Sequence, residues 1–475
     1  MTKLSIEPVT RVEGHGKVTL SFDDSGKLDK VNFHVVEVRG FEKFLEGRYI
    51  EDAPIFTPRI CGICQVSHHL ASAKAVDKVF GVKIPETANM LRNLMQQASN
   101  VHSHALHFGM LASPDLMFPT TDDALKRNLL GVAGENMDMI KDSIAMRKVG
   151  QTIVQKVGGR AIHPVTAIVG GQSKPLTEEE RDELLTLSDN LVETAERTLN
   201  VGKEMVENLK EKDLMNLGYF ESYHMGLVNN GAQDIYEGNI RVVNSEGKIE
   251  YEFDPAEYAN YITEGVRPYS YLKFPYLTEK GEGEGKGAYR VNTLSRLNVC
   301  DKMPTPIAQK YYEEFVKTYG KPAHQPMLFH YARLIELLSS SELIRKFLED
   351  DKIVDTDVRA EVDPKNITGE GVGCVEAPRG TLIHHFKTDD RGIINDTNLV
   401  VATVQNNPAM DIGVQKVAEK YIKTPEDAKP HILNHMEMVI RAYDPCLSCA
   451  THTIGEEPKM LSMDVYQGGK LIKTL

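Results

Sequence analysis

Two Cys-x-x-Cys pairs stand near opposite ends of this chain: Cys61 and Cys64 in RICGIC (59 to 64), Cys446 and Cys449 in DPCLSCATH (444 to 452). A single centre built from all four sulfurs requires a fold that carries its two ends to one point. The spacing within each pair lets both sulfurs turn the same way. Six cysteines in 475 residues do not make a disulfide scaffold, and such pairs point to metal or redox chemistry. A lone cysteine is more often packing than chemistry, and Cys300 and Cys374 fit that description.

Three metal sites are compatible with the spacing. A structural zinc takes four thiolates, usually from pairs close in sequence. An iron-sulfur cluster also takes four, again from compact motifs. A soft thiolate site for nickel or iron in a redox role is the third. Ligand type alone leaves them even.

The rest of the composition narrows the setting. A net charge of -13, with no basic stripe, argues against nucleic acid as a partner. MTKLSIEPVTRVEGHG lacks the apolar core of a secretory signal, and no apolar run reaches membrane-spanning length. The expectation is a soluble, cytoplasmic protein. Hydrophobic content of 41% with 26% charged residues is globular.

KVTLSF and KLDKVNFHVVEV alternate around DDSG, predicting a β-hairpin in an N-terminal region, 1–38. Helical periodicity then runs through SHHLASAKAVDKVF, ETANMLRNLMQQASNVHSHALHFGM, the stretch from DALKRN to VQKV, and the stretch from TEEERDELL to NLKEK. DIYEGNIRVVNSEGKIEYEF predicts a second hairpin turning at NSEGK, and GEGEGKG predicts a loop. Helices are expected at 305–319, 325–349, 411–422 and 425–442, and strands at TLIHHF, GIIN and NLVVATV. With no repeat and no dividing linker, the chain reads as one α+β domain over 1–475. It has a long-helix bundle as core and small peripheral β-sheets, a body over 39–452 and a tail over 453–475.

Residues near the cysteines separate the metal readings. His68 lies one helical turn beyond Cys64. TRVEGHGK carries Glu13, RGFEKFLEGR carries Glu42, and EAPRG carries Arg379. The ordered set RVEGH, RICGIC with its trailing histidine, EAPRG, VVATVQNN and DPCLSCATH resembles the large, catalytic subunit of nickel-iron hydrogenases, over residues 3 to 452. Within that family it is similar to the methanogen group that reduces viologen dyes but not deazaflavin.

The resemblance implies that Cys61, Cys64, Cys446 and Cys449 bind nickel, with Cys64 and Cys449 bridging to an iron that carries carbon monoxide and cyanide. It implies heterolytic cleavage of dihydrogen, with Cys449, Glu13 and Arg379 as the catalytic groups and Glu13 as first proton acceptor beyond the terminal cysteine. His68 would hydrogen-bond a bridging sulfur, Asp444 would anchor Arg379 or orient the cysteine loop, and Ala402 and Thr403 would cradle a cyanide. Glu42, His452 and the Leu399 carbonyl would hold a further magnesium or iron ion. Too few cysteines remain for an electron wire, so an iron-sulfur small subunit is implied. Further electron-transfer subunits and heterodisulfide reductase in methanogenesis would follow it. The rivals are a deazaflavin-reducing hydrogenase subunit, a non-hydrogenase relative that kept the fold, and a structural four-cysteine metal protein.

Two positions depart from the family's pattern. Ser103, between His102 and His104, stands where many relatives carry Asp, so the charges around Arg379 are expected to differ. Relatives commonly lose everything after the final histidine of the motif; here MLSMDVY and KLIKTL alternate around QGG and predict a hairpin, which favours a retained tail. Intact-mass measurement of the isolated subunit should therefore return the full 475-residue chain, and a mature chain ending at His452 would contradict retention.

Overall fold

The computed structural model describes residues 3–38, 40–123 and 125–450, together with the backbone of the strands Asp464–Gln467 and Lys470–Thr474. The N-terminal hairpin forms as expected. Gly16–Phe22 pairs antiparallel with Leu28–Val35, and Lys3–Ile6 adds a third strand. Its alternation is physical: Val18, Leu20, Phe22, Phe33 and Val35 are buried on one face. Asp23 closes the turn by accepting from the Ser25 and Lys27 amides. The sheet is tied to the far end of the chain, where the Asp411 carboxylate accepts from the Phe33 amide at 2.8 Å.

Long helices at Glu86–Leu106, Met137–Gly158, Leu191–Glu211 and Leu328–Glu349 pack together as the core. They approach closely at glycines: a methyl on Gly150 would collide with the Ala98 carbonyl, and one on Gly202 with Leu334. Two of the expected long helices are in fact broken. Leu129–Glu135 and Met137–Gly158 separate at Asn136, whose side chain accepts from the Met139 amide and starts a new helix. Glu178–Leu187, opened by a Thr177–Glu180 capping box, separates from Leu191–Glu211 at Ser188, whose hydroxyl donates back to the Leu184 carbonyl. Periodicity continues across both breaks, which is why the pattern hides them. No helix among the described residues is long and apolar enough to cross a membrane.

The second hairpin, Asn239–Val243 with Ile249–Phe253, turns where Asn244 accepts from the Glu246 and Lys248 amides. A three-stranded antiparallel sheet follows, in the order Glu370–Ala377, Gly380–Thr388, Ile394–Val400. Its first strand went unpredicted because GVGCVEA has weak strand propensity. Tertiary packing decides it: Gly371 and Gly373 lie flat on the helix Gln65–Val79, where any Cβ would meet the Ala75 and Ala71 carbonyls. The expected strand NLVVATV ends early, at Val400, and a helix begins at Ala402 rather than at 411. That helix keeps the poor formers Gln405, Asn406 and Asn407 because their buried amides donate to the carbonyls of Thr381, Arg379 and Lys273. Pro430–Ala442 then leads into the second cysteine motif. The tail strands pair antiparallel as expected.

Gly373→Ala should cost about 1–3 kcal/mol through overpacking, seen as a lowered unfolding midpoint. Gly134→Ala, on an exposed helix with nothing within 4 Å of the added methyl, should be neutral or stabilising.

Candidate metal centre

The two ends of the chain meet through backbone. Glu13 and Cys446 form a parallel β-bridge, and the Leu447 amide donates to the Glu13 carbonyl at 2.9 Å. Gly14, at φ +82°, makes the approach feasible, since a Cβ there would lie 2.8 Å from the Ser448 nitrogen. The RVEGHG segment is thus a glycine-cleared ledge for the C-terminal cysteines. On the other side, a 3₁₀ turn Thr57–Ile60 ends at Cys61, and Cys64 opens the helix Gln65–Val79. Cys61 Sγ accepts from the Ile63 amide at 3.2 Å, folding the pair back on itself.

All four sulfurs lie within 4.8 Å of one another and all four residues are buried. Cys61 to Cys446 is 3.2 Å, Cys64 to Cys449 2.9 Å and Cys446 to Cys449 2.7 Å, with no disulfide among them. Sulfurs bound to one metal at about 2.3 Å stand no more than about 4.6 Å apart, so the donor set fits a shared ion. Among the described residues no other group of three or more metal-type side chains comes together. Hydrogen bonds from the Cys446, Cys449 and Cys64 sulfurs hold the Cys61 thiol well below its ordinary value, whereas burial pushes Cys446 and Cys449 well above theirs.

The predicted residues around the sulfurs fall into place unevenly. Glu13 Oε2 lies 2.9 Å from the sulfur of Cys446, the cysteine expected as a terminal ligand, and accepts from the Ser448 amide at 3.1 Å. Thr403 accepts from the Cys446 amide at 3.0 Å, and Ala402 beside it begins its helix. Arg379, at the tip of the Ala377–Gly380 hairpin, donates to Asp444 at 3.0 Å and to Ser103 at 3.4 Å. Burial opposes its charge, but Asp444 and the sulfurs of Cys446, Cys64 and Cys61 hold its pKa above the ordinary value. Ser103 thus offers Arg379 a neutral acceptor, as its departure from the pattern led one to expect. Glu42 accepts from the Leu399 amide at 2.9 Å, which joins those two positions through N–H. His452 lies outside the described residues. Cys300 and Cys374 are isolated and buried, as expected, and burial pushes the Cys300 thiol up to about 11.

Sequence reasoning missed the groups behind these. Arg296 donates to Glu336 and Glu376 and to the Ala377 and Pro378 carbonyls, clamping the turn that presents Arg379. Burial works against the Glu336 carboxylate, yet Arg296 and the His104 bond bring it down to about 2. A lone Glu inside the apolar stretch YARLIELLSSS was the available signal. His68 is bonded through Nδ1 to His384 at 3.0 Å, and burial holds the His68 imidazole down to about 4, hence neutral.

The family described as nickel-dependent hydrogenase matches residues 39–127 and 228–452, and a HoxL-like family matches 3–38. The chain is 97% identical over 475 residues, all of both chains, to a subunit of the vhc F420-non-reducing hydrogenase of Methanococcus voltae. It is 48% identical over 485 residues, again all of both chains, to the corresponding F420-non-reducing hydrogenase subunit of Methanothermobacter marburgensis. A solved NAD+-reducing NiFe-hydrogenase in the H2-reduced state superposes with TM-score 0.89 at 38% identity, over 95% of this chain and 100% of that one. The Ni-Fe-Se hydrogenase from D. vulgaris Hildenborough superposes at 0.76 and 26%, with the same coverage. Both cysteine pairs fall within the residues that the family model matches, and the chain belongs to the nickel-dependent hydrogenase family.

Proposed function

We propose that this chain is the catalytic subunit of an enzyme that reversibly splits dihydrogen, with Cys61, Cys64, Cys446 and Cys449 as nickel ligands and Cys64 and Cys449 shared with an iron bearing carbon monoxide and cyanide. The observation that carries it is the buried four-sulfur cluster in a nickel-dependent hydrogenase chain. When bound, the nickel-iron pair supplies the heterolytic cleavage and takes up the electrons. Cys446 Sγ and Glu13 Oε2, at 2.9 Å, are within proton-transfer reach, so the carboxylate takes a proton leaving that sulfur. Arg379 holds a fixed positive charge beside the sulfurs, where low dielectric strengthens it. Thr403 pins the Cys446 amide, and Asp444 pins Arg379. Glu42, the Leu399 carbonyl and His452 would hold a further magnesium or iron ion; the buried Glu42 carboxylate supports this reading, while its contact with Leu399 is to the amide N–H.

Electrons leave to another protein in this reading. Cys300 and Cys374 are single and buried, so the described residues hold no second cluster of sulfurs. Gly62 is exposed while Cys61 beside it is buried, so on this side the cysteine cluster lies one residue beneath the surface of the chain, which supports electron exit to a docked iron-sulfur subunit. Relatives named as not reducing F420 count against a deazaflavin as acceptor. In this reading the electrons pass instead through further cytoplasmic electron-transfer subunits to heterodisulfide reductase.

Metal analysis of the purified complex should give nickel and iron together, with infrared bands of iron-bound carbon monoxide and cyanide; zinc without nickel refutes the reading. Glu13→Gln should retain both metals and lose proton-deuterium exchange, and normal exchange in that variant would sink the proton role. Asp444→Ala leaves the Arg379 charge buried without its carboxylate and should cost about 3–5 kcal/mol of stability, read from the unfolding midpoint.

A further inference from the structure

Asn292 lies between the two segments that bring Arg379 and Asp444 together. It is wholly buried and holds φ +93° with ψ -177°, a conformation that only glycine adopts without steric cost. On one side its backbone nitrogen backs the hairpin that presents Arg379: a methyl on Gly380, the next residue, would lie 2.7 Å from it. On the other side its Nδ2 donates to the Tyr443 carbonyl at 2.6 Å, one residue before Asp444. Its Oδ1 accepts from the Thr293 amide at 2.7 Å, which opens the helix Thr293–Val299, and its carbonyl accepts from the Arg296 amide at 2.9 Å.

The partners fix how the side-chain amide is turned. The Tyr443 carbonyl only accepts and the Thr293 amide only donates, so nitrogen faces the first and oxygen the second. The Tyr443 carbonyl belongs to the peptide that leads into Asp444, itself left-handed at φ +50°. Pinning that peptide fixes the direction in which the Asp444 carboxylate leaves the chain. The neighbouring bonds each hold one of the two segments: Asn406 donates to the Arg379 carbonyl, Arg296 to those of Ala377 and Pro378, and Arg333 to that of Ala442. Asn292 meets both, each at the residue adjoining the Arg379–Asp444 ion pair. Glycine here would relieve the strain and lose the link, whereas alanine would keep the strain and lose the link as well.

We infer that Asn292 is a positioning residue that sets how Arg379 and Asp444 face each other, its strained backbone held by the bonds of its side chain. Its effect on turnover rests on the reading of Arg379 as the fixed charge beside a dihydrogen-splitting centre. In such a site a displacement of about 1 Å costs up to about a hundredfold in rate.

Asn292→Gly keeps the backbone conformation, and glycine is tolerated at a helix start, so the variant complex should assemble with wild-type nickel and iron content. Its proton-deuterium exchange per nickel should fall about tenfold to a hundredfold. A crystal structure of that variant complex should show the Arg379–Asp444 contact lengthened from 3.0 Å to beyond about 3.5 Å. Wild-type exchange per nickel, or an unchanged contact, overturns the inference, since a merely structural asparagine alters stability and leaves both as they are. Asn292→Ala should unfold at a lower temperature than Asn292→Gly, and equal midpoints overturn the strain on which the assignment stands. Absence of nickel from the wild-type complex refutes the dihydrogen reading instead, and the Arg379–Asp444 distance in the glycine variant still decides the positioning.

Discussion

The contact on which the structure depends is the parallel bridge between Glu13 and Cys446, with Gly14 pressed against Ser448. It makes the N-terminal segment a wall of a centre whose C-terminal ligands are more than 400 residues away. The same segment is held from behind: the Thr10 amide donates to Glu437, and Arg11 and Arg441 both donate to Asp115. The ledge is therefore rigid before any metal is considered. A proton acceptor has to be within hydrogen-bond reach of its donor, and only a fixed ledge keeps Glu13 at that distance from a sulfur.

Charge is arranged around the centre with comparable economy. Arg379 and Asp444 are each no more than 3% exposed, and Arg296, Glu336 and Glu376 are no more than 1% exposed. An ion moved into such surroundings costs several kcal/mol unless a partner of good geometry offsets it. Arg379 has Asp444, and Arg296 has two carboxylates and two carbonyls. The Arg296 clamp holds the hairpin turn from below, so that Arg379 is presented by a supported loop. The small-residue seam between Gly371, Gly373 and the helix after Cys64 sets the height of that hairpin over the cysteines.

Much of this was legible in the chain itself. Strand alternation and helical periodicity located the N-terminal hairpin, the hairpin at NSEGK and the long helices, because each buries one face. Where the signal failed, long-range contacts had decided the matter. Glu370–Ala377 is a strand because glycines allow it to lie on a helix, and 402–410 is helical because buried carbonyls satisfy its amides. At the site, cysteine spacing and the short Gly- and Pro-marked motifs singled out Glu13, Arg379 and Asp444. His384 and Glu336 carry no such local mark, since their roles exist only through partners distant in sequence.

The sequence by itself determined the ligand chemistry: four soft sulfurs in two pairs, a carboxylate and an arginine in tight turns, and too few further cysteines for electrons to travel inside the chain. Tertiary structure alone decided how closely Glu13 approaches the Cys446 sulfur, which carboxylate balances Arg379, and that His384 is the partner of His68 Nδ1. Residue types and spacing fix what a group is able to donate or accept, because that is local covalent chemistry. Which donor finds which acceptor depends on distances of about 3 Å between segments hundreds of residues apart, and only the packed chain sets those.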